Sequence, residues 1–203
     1  MDDVTEISQL VVRERQSRVM HLDAQLRDCY HSDATVTTSW MSGSAAAFAS
    51  GKELPTAGTA GPIINRSGPP VVHHSGRRAV VELPSTTIRW LDVNGVEAEL
   101  VSFMRLVYRT EKRDGTWRIS DLSTVNEGDT LTPAVPGTDL HVDPDALAGL
   151  RHSYRYLAYT RSLGGVTVSP DLHGIDRPEA VEALYEDAYV WLAEQPAGEG
   201  SEA

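Results

Sequence analysis

The spacing of apolar residues divides the chain into a helical beginning, a β-rich middle and a helical end. Over residues 6–29, Ile7, Leu10, Val11, Leu22 and Leu26 recur at helical intervals, with Glu14 and Arg18 in the same stripe. This predicts one helix, capped by Thr5 or Asp3. Ala34–Trp40 is rich in β-branched residues and predicts a strand; Ser42-Gly43-Ser44 reads as a turn and cap before a short helix, Ala45–Ala49. Gly51–Gly61 has few apolar anchors and reads as a mobile connection. Five strand-like runs follow: Ile63–Ser67, Pro70–His74, Ala79–Trp90, Glu97–Arg109 and Trp117–Val125. The turns Ser75-Gly76-Arg77, Asn94-Gly95 and Asp114-Gly115 separate the later ones, and the Asn-Gly and Asp-Gly pairs accept the positive φ of tight hairpins. Strands this long coil over a helix, so the pattern predicts an α+β layer rather than a parallel α/β sheet.

Thr130–Asp145, with Pro133, Pro136 and Pro144, reads as a wrapping linker. Asp145–Thr160 and Arg177–Glu194 then read as helices, the second opening on Asp176-Arg177-Pro178, a cap followed by proline in the first turn. Val181, Leu184, Tyr185, Ala188 and Trp191 or Leu192 make one apolar stripe that must dock on the domain body or on a second subunit. Gln195–Ala203 reads as a frayed tail. The expected organisation is a domain over 1–130 and a linker with a helical extension over 131–203.

Composition narrows the partners. The 203 residues are 40% hydrophobic and 23% charged, which suits a globular chain, and the net charge of −11 argues against nucleic acid and anionic membrane as partners. The single cysteine, Cys29, excludes an intrachain disulfide and reads as a packed thiol in a reducing compartment. The acidic, polar opening MDDVTEISQL is the reverse of a signal peptide, so a cytoplasmic location is expected.

Three segments carry a resemblance. Asp28-Cys-Tyr-His-Ser-Asp-Ala-Thr-Val36, Ser39-Trp-Met-Ser-Gly-Ser44 followed by Phe48, and Asp114-Gly-Thr-Trp-Arg-Ile119 resemble, in order and spacing, segments of SnoaL-like proteins of the nuclear-transport-factor-2-like superfamily, in an actinobacterial branch. The resemblance covers residues 5–130. It implies a cone-shaped fold, a strongly curved antiparallel or mixed sheet packed on N-terminal helices, to which this chain adds a C-terminal helical extension. It also implies a pocket for a hydrophobic small molecule and a homodimer formed through the outer sheet face. Relatives of that kind include polyketide cyclases, ketosteroid isomerases, dehydratases and epoxide hydrolases, besides ligand-binding modules without chemistry, so the fold leaves the function open.

Enzymes of the resembling families place an acid–base pair in an apolar cone, because a dry pocket brings a carboxylate or imidazole into the range where it moves protons at neutral pH. At the two matching positions this chain carries Val19 and Asn65. The remaining candidates for catalysis are Asp121, two residues after Ile119 on the last strand, His74, and the mid-strand Arg105 as an enolate stabiliser or an ion-pair partner. His73 and His74 are strand neighbours, so one points inward and the other outward, and they diverge too far to chelate a metal. Tyr30, Trp40, Asn65 and His73 are candidates for substrate contact; Trp40 serves equally as core, and Asn65 equally as a turn residue. Arg18, Glu14 and Asp23 read as a solvated face or a salt bridge. No nucleotide, triad or zinc motif is present, so the expected enzyme is cofactor-independent: a cyclase, isomerase or dehydratase working through an enolate. The alternative is a binding or assembly module that kept the pocket and lost the pair.

Overall fold

The computed structural model describes residues 2–50 and 63–194. The connection expected over Gly51–Gly61 and the tail from Gln195 lie outside the described residues. The first helical stripe forms two helices, α1 (Asp3–Val19) and α2 (Asp23–Asp28), rather than one. The break falls at His21, which takes φ 54°, a left-handed conformation that cannot continue a helix. Asp2, not Thr5 or Asp3, caps α1 by accepting from the Thr5 amide at 3.0 Å.

β1 (Tyr30–Thr37) follows, then β2 (Ser42–Ser44) and the single turn α3 (Ala45–Phe48), which Ser44 caps through the Ala47 amide. The rest of the sheet is β3 (Ile63–Ser67), β4 (Val71–Ser75), β5 (Arg78–Val93), β6 (Val96–Arg113) and β7 (Thr116–Pro133). The sheet runs β2-β1-β7-β6-β5-β3, with β4 also on β5; among these described strands β1 and β7 pair in parallel and the other pairs are antiparallel. β3 and β4 share one edge of β5: β4 pairs Arg78–Glu82 and β3 pairs Ser85–Arg89. β7 reaches Pro133 instead of ending near Val125, because Gly128–Thr132 stay paired with β6 although they are too polar to read as a strand.

Alternation along β5 and β6 gives each face its own core. Ala79, Val81, Leu83, Leu106 and Tyr108 face α1, and Ile7, Leu10 and Val11 pack on them. Further along the same face, Leu91, Val93, Ala98 and Leu100 meet the C-terminal extension. That extension is not one helix over Asp145–Thr160. It is α4 (Pro144–Leu147), a 3-10 turn (His152–Tyr154) and α5 (Arg155–Leu163), interrupted at Gly149, where φ is 81°.

The opposite, outer face carries Val80, Val107 and Val125. They are covered by Val181 and Ala188 of α6 (Pro178–Ala193) in the same chain. Asp176 does not cap α6; its carboxylate turns back to Arg151 and to the Ser153 hydroxyl at 2.8 Å. Among the described residues no helix is long and apolar enough to cross a membrane.

Candidate functional site

Between α1 and α5, the inner face of the sheet lies under a cavity of about 460 Å³, within the range of ~300–1,000 Å³ that takes small molecules. Its floor is the middle of β5 and β6, where Thr87 and Arg89 stand beside Leu100, Ser102, Met104 and Leu106. These are mostly small or flexible residues, and they leave space where the neighbouring core is filled. Trp40 and Phe48, stacked with centroids 5.1 Å apart, make an aromatic wall. α5 closes the far side with Leu157 and Arg161, so the C-terminal extension is part of the site.

The polar wall is built by α1. Glu14, fully buried, sits one layer behind the cavity and accepts from the hydroxyls of Tyr30 and Tyr108, each at 2.8 Å. Arg18 also donates to it, Nη2 to Oε2 at 3.0 Å, with Nε 2.8 Å from Oε1. Burial and the Glu14 carboxylate hold both phenols well above their ordinary pKa, so they stay protonated donors. The Arg18 guanidinium lies over the Phe48 ring, 5.3 Å from its centroid.

One turn earlier, Arg15 donates to Asn65 on β3 and to the Thr87 hydroxyl at 2.9 Å, and Thr87 donates to the same Asn65 oxygen at 2.7 Å. Arginine has no acceptor, so the Asn65 atom facing it is the carbonyl oxygen. The amide nitrogen is its remaining polar end. Val19, His21 and Asp23 complete the rim where α1 gives way to α2.

The structure therefore brings Trp40 and Asn65 into the cavity wall and puts Tyr30 behind it. The other sequence candidates stand elsewhere. Asp121 lies on the outer face, bonded to the Thr35 hydroxyl and beside Arg109 and Asp187. The reason is a bulge: Thr110 pairs with Ile119, but the preceding Arg109 pairs with Asp121, so Ser120 is an extra residue in β7. Strict alternation from Ile119 would turn Asp121 inward; the bulge hands that side to Leu122. Arg105 is also outside, 3.4 Å from Glu82, 2.8 Å from Glu127 and 2.9 Å from the Tyr185 hydroxyl of α6. His73 packs edge-on against Tyr189 of α6. His74 points the other way, edge-on to Trp117 with Nε2 3.8 Å from Asp3, at the end of the sheet beyond the cavity.

Sequence reading missed Arg15, Thr87, His21 and Arg161. For Arg15 a signal existed: it lies four residues after Val11, within the apolar stripe of α1. The Glu14–Arg18 salt bridge is present, but buried rather than solvated. Among the described residues no cluster of three or more His, Cys, Asp or Glu side chains is placed to hold a metal ion.

Known proteins share this architecture. The SnoaL-like domain profile matches residues 1–123. A PEP2-like protein of Fusarium vanettenii is 30% identical over 128 residues, covering 60% of this chain and 55% of its own length, so the chain spans about half of that curated relative. Among solved structures, a type 2 hexachlorocyclohexane dehydrochlorinase (LinA) superposes with a TM-score of 0.51 at 17% identity, over 69% of this chain and 93% of its own. The type 3 enzyme of Novosphingobium barchaimii gives 0.50 at 15% identity, over 69% and 94%. At such identities the likeness is one of fold. On the profile match across its N-terminal 123 residues, the chain belongs to the SnoaL-like domain family.

Proposed function

We propose that this chain binds a hydrophobic, oxygen-bearing small molecule in the cavity between α1 and α5. The observation that carries this reading is the Arg15–Asn65–Thr87 cluster, a set of polar groups joined to one another beside an otherwise apolar cavity. An apolar pocket with a few convergent polar groups fixes the orientation of a ligand, and here the aromatic wall would take its body. The test is titration with N-phenyl-1-naphthylamine, a neutral apolar probe whose fluorescence rises out of water. Saturable binding is expected, and Ser102→Trp, which puts an indole into the cavity, should abolish it. Equal binding by a folded Ser102→Trp chain would refute the reading.

A second reading, in which the ligand is turned over by proton transfer beside a carbonyl, is favoured by His21 and Asp23. They are an imidazole and a carboxylate on the same rim. In this reading the Arg15 and Asn65 donors would stabilise an enolate oxygen, and the roles first expected of Asp121, His74 and Arg105 fall to the cavity wall. Loss of turnover in His21→Gln with ligand affinity retained would support it; a ligand recovered unchanged after long incubation would leave binding alone. The outer-face homodimer remains an expectation to be set against the α6 helix that covers Val80, Val107 and Val125.

A further inference from the structure

The charge on the cavity wall is one-sided. Arg15, Arg18, Arg89 and Arg161 line it, with Asp23 as the carboxylate on the wall among the described residues, although the whole chain carries a net charge of −11. Arg18 is matched by Glu14, and Arg89 and Arg161 hold interactions of their own within the fold. Arg15 differs. The hydrogen bonds of its Nη2 go to the neutral oxygens of Asn65 and Thr87, and its Nε is buried without an acceptor. Burial first, and then repulsion from Arg18, pulls its pKa down to about 10, which leaves it a cation at neutral pH.

A buried cation with neutral partners is costly, and a paired one far less so. The cost is relieved by a ligand that brings the missing negative charge. Asn65 adds a second donor through the amide nitrogen that its bonded oxygen leaves over. Arg15 and the Asn65 amide nitrogen are thus two donors at this end of the cavity, and a guanidinium fork fits the paired oxygens of an oxyanion.

Resting on the reading of the cavity as a ligand site, we propose that its ligand is an amphipathic organic acid: an apolar body against Trp40 and Phe48, and an oxyanion head held by Arg15 and Asn65. Two probes with the same apolar body separate this from binding as such. 1-Anilinonaphthalene-8-sulfonate is N-phenyl-1-naphthylamine with a sulfonate added. The sulfonate should bind at least about tenfold tighter, the size expected of charge-assisted hydrogen bonds in a desolvated site. Arg15→Met should remove most of that advantage, read as the ratio of sulfonate to neutral-probe affinity within the same variant, and Arg15→Lys should restore part of it. In the unmodified chain, 1-naphthaleneacetate should displace the neutral probe at least about tenfold better than 1-naphthaleneacetamide, a comparison that needs no variant to fold. Equal affinities within either pair, or an Arg15→Met chain that keeps the full sulfonate advantage, would overturn the proposal and leave the cavity reading standing. Failure of both probes to bind, or their binding undiminished in Ser102→Trp, would instead sink the cavity reading itself.

Discussion

Glu14 gives the sharpest test of how the site is held. Its two oxygens accept from Tyr30, Tyr108 and Arg18, and none of its surface meets solvent. Glu14→Gln keeps the shape but removes the charge and turns an amide NH2 toward groups that are themselves donors. Arg18 is then a buried cation without its counter-ion. Breaking a buried pair from one side costs about 3–5 kcal/mol, a large share of the ~5–15 kcal/mol that stabilises a domain. With a urea dependence of ~1–3 kcal/mol per molar, the unfolding midpoint, followed by tryptophan fluorescence, should fall by roughly 1–5 M. Replacing the whole cluster together (Glu14→Leu, Arg18→Met, Tyr30→Phe, Tyr108→Phe) should recover most of the loss, because no polar group is then stranded. A Glu14→Gln chain destabilised by less than ~1 kcal/mol would refute the reasoning. It would mean that Arg18 reaches water through the cavity, as an exposed ion pair does.

Asp121→Asn should leave probe binding unchanged within about twofold, since Asp121 lies across the sheet from the cavity and sites that far apart with no shared partner act independently. Burial first raises its pKa above the ordinary 3.8, against the pull of Thr35 and Arg109, so its charge destabilises the fold at neutral pH. The Asn variant should therefore be as stable or slightly more stable at neutral pH, and that gain should vanish as pH falls below 3.8; a variant that loses probe binding would contradict the placement. Gly174→Ala should lower the thermal midpoint by an amount equivalent to about 1–3 kcal/mol, because a Cβ there would stand 2.7 Å from Ser153 Cβ and 2.8 Å from Asp176 Oδ1. An unchanged midpoint would show that this loop does not pack on the 3-10 turn as described.

Much of the fold is legible in local chemistry. The Asn94-Gly95 and Asp114-Gly115 turns lie in the left-handed region their sequences favour, and they fix the β5–β6 and β6–β7 hairpins. What escapes sequence reading is whatever depends on partners distant in the chain. The polar end of β7 is a strand because β6 pairs with it, and the bulge at Ser120 shows only in the register of two strands, yet it decides which way Asp121 faces. The same holds for the cavity. Arg15 reads as one more charge on an amphipathic helix until Asn65 and Thr87, distant in sequence, are brought against it. That α5 forms a wall of the site follows from tertiary packing, since Leu157 alone marks only an apolar helix face.

The claim that the α1–α5 cavity is the ligand site is tested most directly by the indole N–H resonances of the chain's four tryptophans during titration with N-phenyl-1-naphthylamine. Trp40 stands in the cavity wall, Trp117 packs against His74 at the sheet end, and Trp191 lies under Arg78 on the outer face. Saturable movement of the Trp40 resonance with Trp117 and Trp191 still is the expected result. Movement of Trp117 or Trp191 with Trp40 unmoved would place the ligand elsewhere and contradict the account.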